Sequence, residues 1–387
     1  MSQEYERIPY LIISREKAAF KDTYAGDVDT VTLKAHLLKP VGRSSETVII
    51  FMHPIGGGEY LPMPTALAKA GHHVIYCNSR YPGVDYALIM EKVAVDLGAC
   101  VRDAKERLGY RKVVLAGWSG GGSLSCFYQA EAEGPTVTQT PAGDPPDLTR
   151  AGLIPADGIM LLAAHVARAH TLTEWLDASI LDEAKPDVRD PSLNLYDPHN
   201  PNQPPYNDNF VQHYRAAQIA RNRRITAWVK EKLASLRRVG QVNAEHCFVV
   251  HGTMADLRWL DPLVDPNGRK PGWCFLGEPR IVNESPVGLA RYTSLRSWLS
   301  QWSYDDSHAD GVKCAARINV PALVVGNLAD DACTPSHTKR LFEAFKPSNR
   351  ELVEIEGATH YYFGQKKQLA EATDNVSRWL TEHGFPA

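Results

Sequence analysis

Ser119 stands in the run Gly117-Trp118-Ser119-Gly120-Gly121, which fits the pattern Gly-x-Ser-x-Gly. A serine hydroxyl is a poor nucleophile at neutral pH and needs a neighbouring base, itself oriented by a carboxylate. The glycine spacing has a steric reason. A serine on a sharp turn between a strand and a helix takes strained backbone angles, and side chains two residues to either side would collide. Glycine removes the collision and leaves the hydroxyl at a helix N-terminus, where unpaired N–H groups can hold a developing oxyanion. Glycine-rich turns also produce this pattern by chance. Here the apolar run Val113-Val114-Leu115-Ala116 precedes it and a helical stretch follows, the context such a nucleophile requires.

The elements that must hold Ser119 alternate along the chain. Strand-like stretches cover Tyr10–Ile13, Val31–Leu38, Thr47–Met52 and His73–Cys77, with helices expected over Met63–Ala70 and about Ala87–Leu108. Thr47–Met52 is apolar throughout, as in a strand buried on both faces. Strand and helix in alternation imply a parallel sheet covered on both sides, with functional groups at the carboxyl ends of its strands. His53 and Ser119 fall at such ends. Gly158–Ala164 reads as the next buried strand, after which the alternation breaks. Arg168 to Ala316 holds the Pro- and Asn-rich loop Asp190–Asn209, a long amphipathic helix from Phe210 to about Arg238, and Trp259, Trp273, Trp298 and Trp302. Roughly 150 residues are too many for a loop and read as a cap. Alternation resumes with the strand Pro321–Gly326, the helix Ser336–Phe345, the strand Glu351–Ile355 and a final helix from Lys366 to about His383.

Ser119, then Asp330 or Asp331 after the seventh strand, then His360 after the eighth is a chain order with a precedent. On these residues, with His53-Pro54 and Gly357-Ala358-Thr359-His360, the sequence resembles the α/β-hydrolase superfamily in its serine-hydrolase branch. The likeness covers roughly residues 30–165 and 318–387. It implies a mostly parallel sheet with helices on both faces, and a large, mainly helical cap between the sixth and seventh strands. The domains would then be core 1–165, cap 166–317 and core 318–387. His360 sits where the family carries its general base. For the acid, counting back from Pro335 selects Asp331 and counting forward from Gly326 selects Asp330. We lean slightly to Asp331 and retain both.

The resemblance places one oxyanion N–H on Gly120 and the other in the loop after the third strand, where Pro54 has no N–H and Ile55 is the expected donor. The triple glycine 56–58 departs from the shorter His-Gly pattern of many relatives. It either brings backbone close to substrate or is a flexible turn. Trp118, His53, Tyr60, Tyr81, Tyr361 and His165 adjoin these motifs as candidate pocket walls, with ordinary packing the alternative for each; for His53 a structural hydrogen bond is preferred. Arg221, Arg223 and Arg224 could receive an anionic substrate group, although a solvated helix face is the plainer reading. The cap tryptophans suit an apolar or aromatic substrate, the cap's own core, or a homodimer contact through the cap.

A net charge of −3 offers no footprint for nucleic acid, and no apolar run approaches a membrane span. The N-terminus lacks a secretory pattern. The seven cysteines are widely spaced, with no Cys-x-x-Cys pair, which fits a reducing cytoplasm and argues against a zinc site. His246 and His251 lack metal-ligand spacing, and no metal or other cofactor is expected. The expectation is a cytoplasmic serine hydrolase acting on an ester-like bond of a small molecule. An acyltransferase or a C–C bond hydrolase would share the same residues, and a non-catalytic receptor would not need all three.

Overall fold

The computed structural model describes residues 4–21, 26–286 and 291–387. Its strands are β1 (Tyr5–Arg15), β2 (Thr30–Pro40), β3 (Thr47–Phe51), β4 (His73–Cys77), β5 (Lys112–Ser119), β6 (Gly158–Ala164), β7 (Cys247–Val249), β8 (Tyr292–Ser294), β9 (Ala322–Asn327) and β10 (Arg350–Ile355). β7 and β8 pair with each other. The remaining eight form one sheet in the order β1-β2-β4-β3-β5-β6-β9-β10. Within it β2 runs antiparallel to both β1 and β4, and every other pairing of this sheet is parallel.

The burial follows from the topology. β3, β4, β6 and β9 are buried along their whole length, as expected where helices cover both faces. β5 shows the two-residue period directly. Val113 and Leu115 join the apolar cluster under the helices α2 (Met90–Glu106) and α3 (Gly120–Glu133), whereas Val114 and Ala116 join the one under α1 (Pro62–Lys69) and the last helix, Lys366–Glu382. The edge strand β1 is longer than the expected Tyr10–Ile13 and accommodates Pro9, which an edge tolerates.

Residues between β6 and β9 build most of a further apolar cluster, which Ala142, Ala332 and Cys333 join. It centres on α4 (Arg168–Trp175) and α5 (Asp208–Arg238), with Trp175, Trp259, Trp298 and Trp302 buried in it. Trp298 and Trp302 stack at 5.1 Å across a π-helical turn. Trp273 instead lies on the surface beneath Lys270. Three of the four tryptophans singled out in the sequence therefore pack this cluster. Ala309, Cys314, Ala315 and Ile318 near its end belong to the sheet cluster. Arg221 is not on a solvated face. It is buried, pairs with Glu183 at 2.7 Å and donates to the carbonyls of Asp177, His251 and Gly252. Arg223 pairs with Asp305 and Arg224 with Glu183, so the trio secures α5 to neighbouring loops.

Two buried ionic knots tie the elements together. At the seam between insertion and sheet, Arg258 binds Glu174 at 2.6 Å, Asp256 and, at 2.8 Å, the Thr334 hydroxyl. Glu174 also takes His337 Nε2 at 2.9 Å, and Arg215 reaches Asp256 at 2.7 Å. Beneath the sheet, Arg80 meets Asp96 at 2.7 Å with both side chains fully buried, and Glu16 adds a third member. Removing one partner of such a pair strands the other charge. Asp96→Ala is expected to lose about 3 kcal/mol, read as a lower urea midpoint; an unchanged midpoint would count against this knot as a structural tie.

Candidate active site

The turn at Ser119 has the strain its glycines suggest. Ser119 has φ 54° and ψ −125°, outside the region that L-residues prefer. A Cβ on Gly117 would lie 2.5 Å from the Gly121 carbonyl oxygen, and one on Gly121 equally close to that of Met52. A Cβ on Gly122 would overlap Ala164. The turn thus fits only because backbone meets backbone there.

His360 enters from the loop after β10. Its Nε2 lies 3.1 Å from Ser119 Oγ and its Nδ1 2.7 Å from Asp330 Oδ2. With the Asp330 carboxylate accepting at Nδ1, the neutral ring presents the Nε2 lone pair to the serine hydroxyl. The other Asp330 oxygen accepts the N–H groups of Ala332 at 2.7 Å and Cys333 at 2.9 Å. These bonds correct the slight preference for Asp331. β9 runs to Asn327, and the tight turn Asp330 N–H to Asn327 O places Asp330, rather than its neighbour, opposite His360. One Asp331 carboxylate oxygen, Oδ1, is buried without a hydrogen-bond partner among the described residues, while its carbonyl accepts Trp259 Nε1 at 2.7 Å. Burial, then the adjacent Asp330, push the Asp331 carboxyl up to about 7.

Three N–H groups of the loop after β3 are fully engaged. Gly56 donates to His53 O at 2.9 Å, Gly57 to Asn78 Oδ1 at 2.9 Å and Gly58 to the Tyr76 hydroxyl at 2.8 Å. Ile55 N–H has only a long contact, 3.4 Å, to His53 Nδ1. Side chains on Gly56 or Gly58 would strike Asn78 and Tyr76. The triple glycine is therefore a pinned turn and not a flexible one. Burial pushes the His53 pKa down to about 3, so the ring is neutral. It packs against Gly120, where a Cβ would lie 2.9 Å from Nε2.

Above Ser119 is a cavity of about 190 Å³. Among the expected side chains, His53, Trp118, His165, His360 and Tyr361 line it, as does Ile55. Trp118 packs against His360 with ring centroids 4.8 Å apart and the planes tilted by 41°, and donates from Nε1 to the His360 carbonyl at 3.2 Å. His165 has Nδ1 3.3 Å from Cys333 Sγ, and burial holds its pKa well below the usual value. Tyr60 is not part of the lining: it is 71% exposed and lies under the Arg7 guanidinium. Tyr81 is buried against a different cavity. Arg168, Trp175 and Phe275 also line the site and escaped sequence reasoning. Arg168 follows closely on the carboxyl end of β6, a position that could have flagged it. Trp175 and Phe275 carry no motif.

The fold has solved counterparts at low sequence identity. A hypothetical protein from Pseudomonas aeruginosa aligns over 98% of this chain and 94% of its own with a TM-score of 0.51 at 10% identity. DcsB, solved with its substrate analogue, aligns over 98% and 99% with a TM-score of 0.50 at 13% identity. A monoacylglycerol lipase from Paleococcus ferrophilus aligns over 98% and 99% with a TM-score of 0.44 at 17% identity. No protein-family model and no curated protein sequence matches the chain. The strand order, with Ser119, Asp330 and His360 after its fifth, seventh and eighth sheet strands in sequence, is that of the α/β-hydrolase fold, and the chain has that fold.

The raised Asp331 carboxyl has a stability consequence. Unfolded, it ionises near ~4; folded, near about 7. Between these values the fold keeps a proton that the unfolded chain has released, so this group's contribution falls as pH rises and levels off above about 7. Asp331→Asn is expected to gain melting temperature over the parent increasingly across that window. A difference independent of pH would refute the assignment.

Proposed function

We propose that this chain is a serine hydrolase cleaving a carboxylic ester, or a related acyl bond, of a small substrate through an acyl-enzyme on Ser119. One observation carries the reading: the continuous line from Asp330 through His360 to Ser119, at 2.7 Å and 3.1 Å. His360 Nε2 takes the Ser119 proton as Oγ attacks the carbonyl carbon. Asp330 holds the ring in the required tautomer and stabilises the imidazolium. The tetrahedral oxyanion is received by Gly120 N–H and by Ile55 N–H, the weakly committed donor of its loop. On collapse, the acyl–oxygen bond breaks and His360 returns the proton to the leaving alkoxide. Water then attacks the acyl-enzyme, with His360 as base, releasing the acid and restoring Ser119. Trp118, Trp175 and Phe275 supply an aromatic wall, and a volume of about 190 Å³ limits the group held there to a small one. The insertion between β6 and β9 serves as a cap, since it contributes Trp175 and Phe275 to that wall.

Two experiments test this. Mass-spectrometric mapping of a fluorophosphonate probe should label Ser119 and nothing in Ser119→Ala; if neither that probe nor a smaller organophosphate labels folded protein, the proposal fails. Asp330→Asn should lower ester turnover by about 10⁴ by offering His360 the wrong partner, whereas Asp331→Asn retains most of it. The reverse ranking would return the acid to Asp331.

A further inference from the structure

The cavity over Ser119 has one formally charged side chain among its described lining residues besides the titratable histidines, and it is cationic. Arg168, the first residue of α4, is 5% exposed and lines this cavity, to which no aspartate or glutamate among the described residues contributes. Its Nε donates to Gln301 Oε1 at 2.7 Å. Its Nη2 is buried with no hydrogen-bond partner among the described residues, and the Asp85 carboxylate stands off at 4.0 Å. Nη1 would lie 3.6 Å from a Cβ on Gly120, so the guanidinium stands beside the residue that supplies a proposed oxyanion donor.

A guanidinium taken out of water without a hydrogen-bonded anion is costly. Burial accordingly lowers its pKa from the ordinary value, and Asp85 opposes that only from a distance. Yet the group is held in place. Gln301, which fixes Nε, is itself secured to Ser297 Oγ at 2.8 Å and to the Asp85 carbonyl. What remains is a guanidinium on the wall of a small cavity, its Nη1 standing beside Gly120, where a substrate carboxylate would meet a charged donor. The neighbouring polar group points the same way. His53, kept neutral by burial, brings no negative charge to the cavity.

We propose that Arg168 is a specificity-determining residue that binds a carboxylate carried by the substrate, a few bonds from the scissile carbonyl. This rests on the ester-hydrolase reading and narrows it. The substrate class becomes half-esters of dicarboxylic acids, or esters of carboxylate-bearing alcohols. A role confined to fixing α4 to Gln301 would not make the reaction sensitive to substrate charge.

The test compares matched pairs at constant ionic strength: p-nitrophenyl hemiglutarate against p-nitrophenyl pentanoate for the acyl side, and 3-acetoxybenzoate against phenyl acetate for the alcohol side. One anionic member should exceed its neutral twin by about tenfold or more in kcat/KM, chiefly through KM. Arg168→Gln should abolish that ratio and Arg168→Lys restore part of it. Which pair responds identifies the side that carries the carboxylate. Neutral esters matching or beating both anionic twins, or a ratio unmoved in Arg168→Gln, would overturn the proposal. If no ester is hydrolysed, the ester reading fails, and Arg168 is judged by binding alone. Glutarate should raise the melting temperature of Ser119→Ala but not of the Ser119→Ala, Arg168→Gln double variant. No rise in the single variant, or an equal rise in both, would overturn it. If Arg168→Gln does not fold, the parent's ratio and the Ser119→Ala melting shift decide.

Discussion

The site depends on how closely backbone approaches backbone around Ser119. A non-glycine residue in this conformation costs on the order of 1–3 kcal/mol, and it is held because Gly117, Gly121 and Gly122 let the start of α3 press onto Met52 and Ala164. That packing sets the distance from the end of β5 to the ends of β3 and β6. It therefore sets where His53, His165 and Arg168 stand relative to the serine. The position of the hydroxyl and the shape of the cavity above it have one steric origin.

Electrostatically, the site is divided by His360. Behind the ring, Asp330 is fully buried and accepts three hydrogen bonds, from His360, Ala332 and Cys333. In front stands Arg168, and among the described residues no carboxylate lines the cavity. Burial keeps His53 and His165 uncharged, so neither adds a second positive charge beside Arg168. In a low-dielectric space this arrangement favours negative charge arriving or developing next to Gly120.

Much of this was legible from the sequence because its signals are local. A glycine two residues either side of a serine, an apolar run between breakers, and a histidine between a strand and the last helix each report short-range geometry, and each element was found where expected. The choice between Asp330 and Asp331 was not local. It turned on where β9 ends and on two N–H groups that bind Asp330, and a count from Pro335 cannot register either. Tyr60 failed for a similar reason: proximity to a motif does not say which way a side chain leaves the loop, and Arg7 draws it to the surface. The insertion was hardest to read. Its tryptophans look alike in sequence, yet Trp298 and Trp302 stack internally, Trp273 faces solvent, and Trp175, which attracted no notice, reaches the cavity. Arg221 looked like a surface charge and is instead satisfied by three carbonyls brought from distant loops.

The charged knot at the seam bears on how the molecule comes apart. Arg258, Asp256 and Glu174 belong to the insertion, while Thr334 and His337, to which Arg258 and Glu174 reach, belong to the sheet's own connections. Lifting the insertion away as a rigid flap would leave its ion pairs whole, but would strip the buried Arg258 and Glu174 of the Thr334 hydroxyl and His337 that complete their hydrogen bonding. At this knot the seam thus rests on two side chains, Thr334 and His337, and the ion pairs serve to present Arg258 and Glu174 to them.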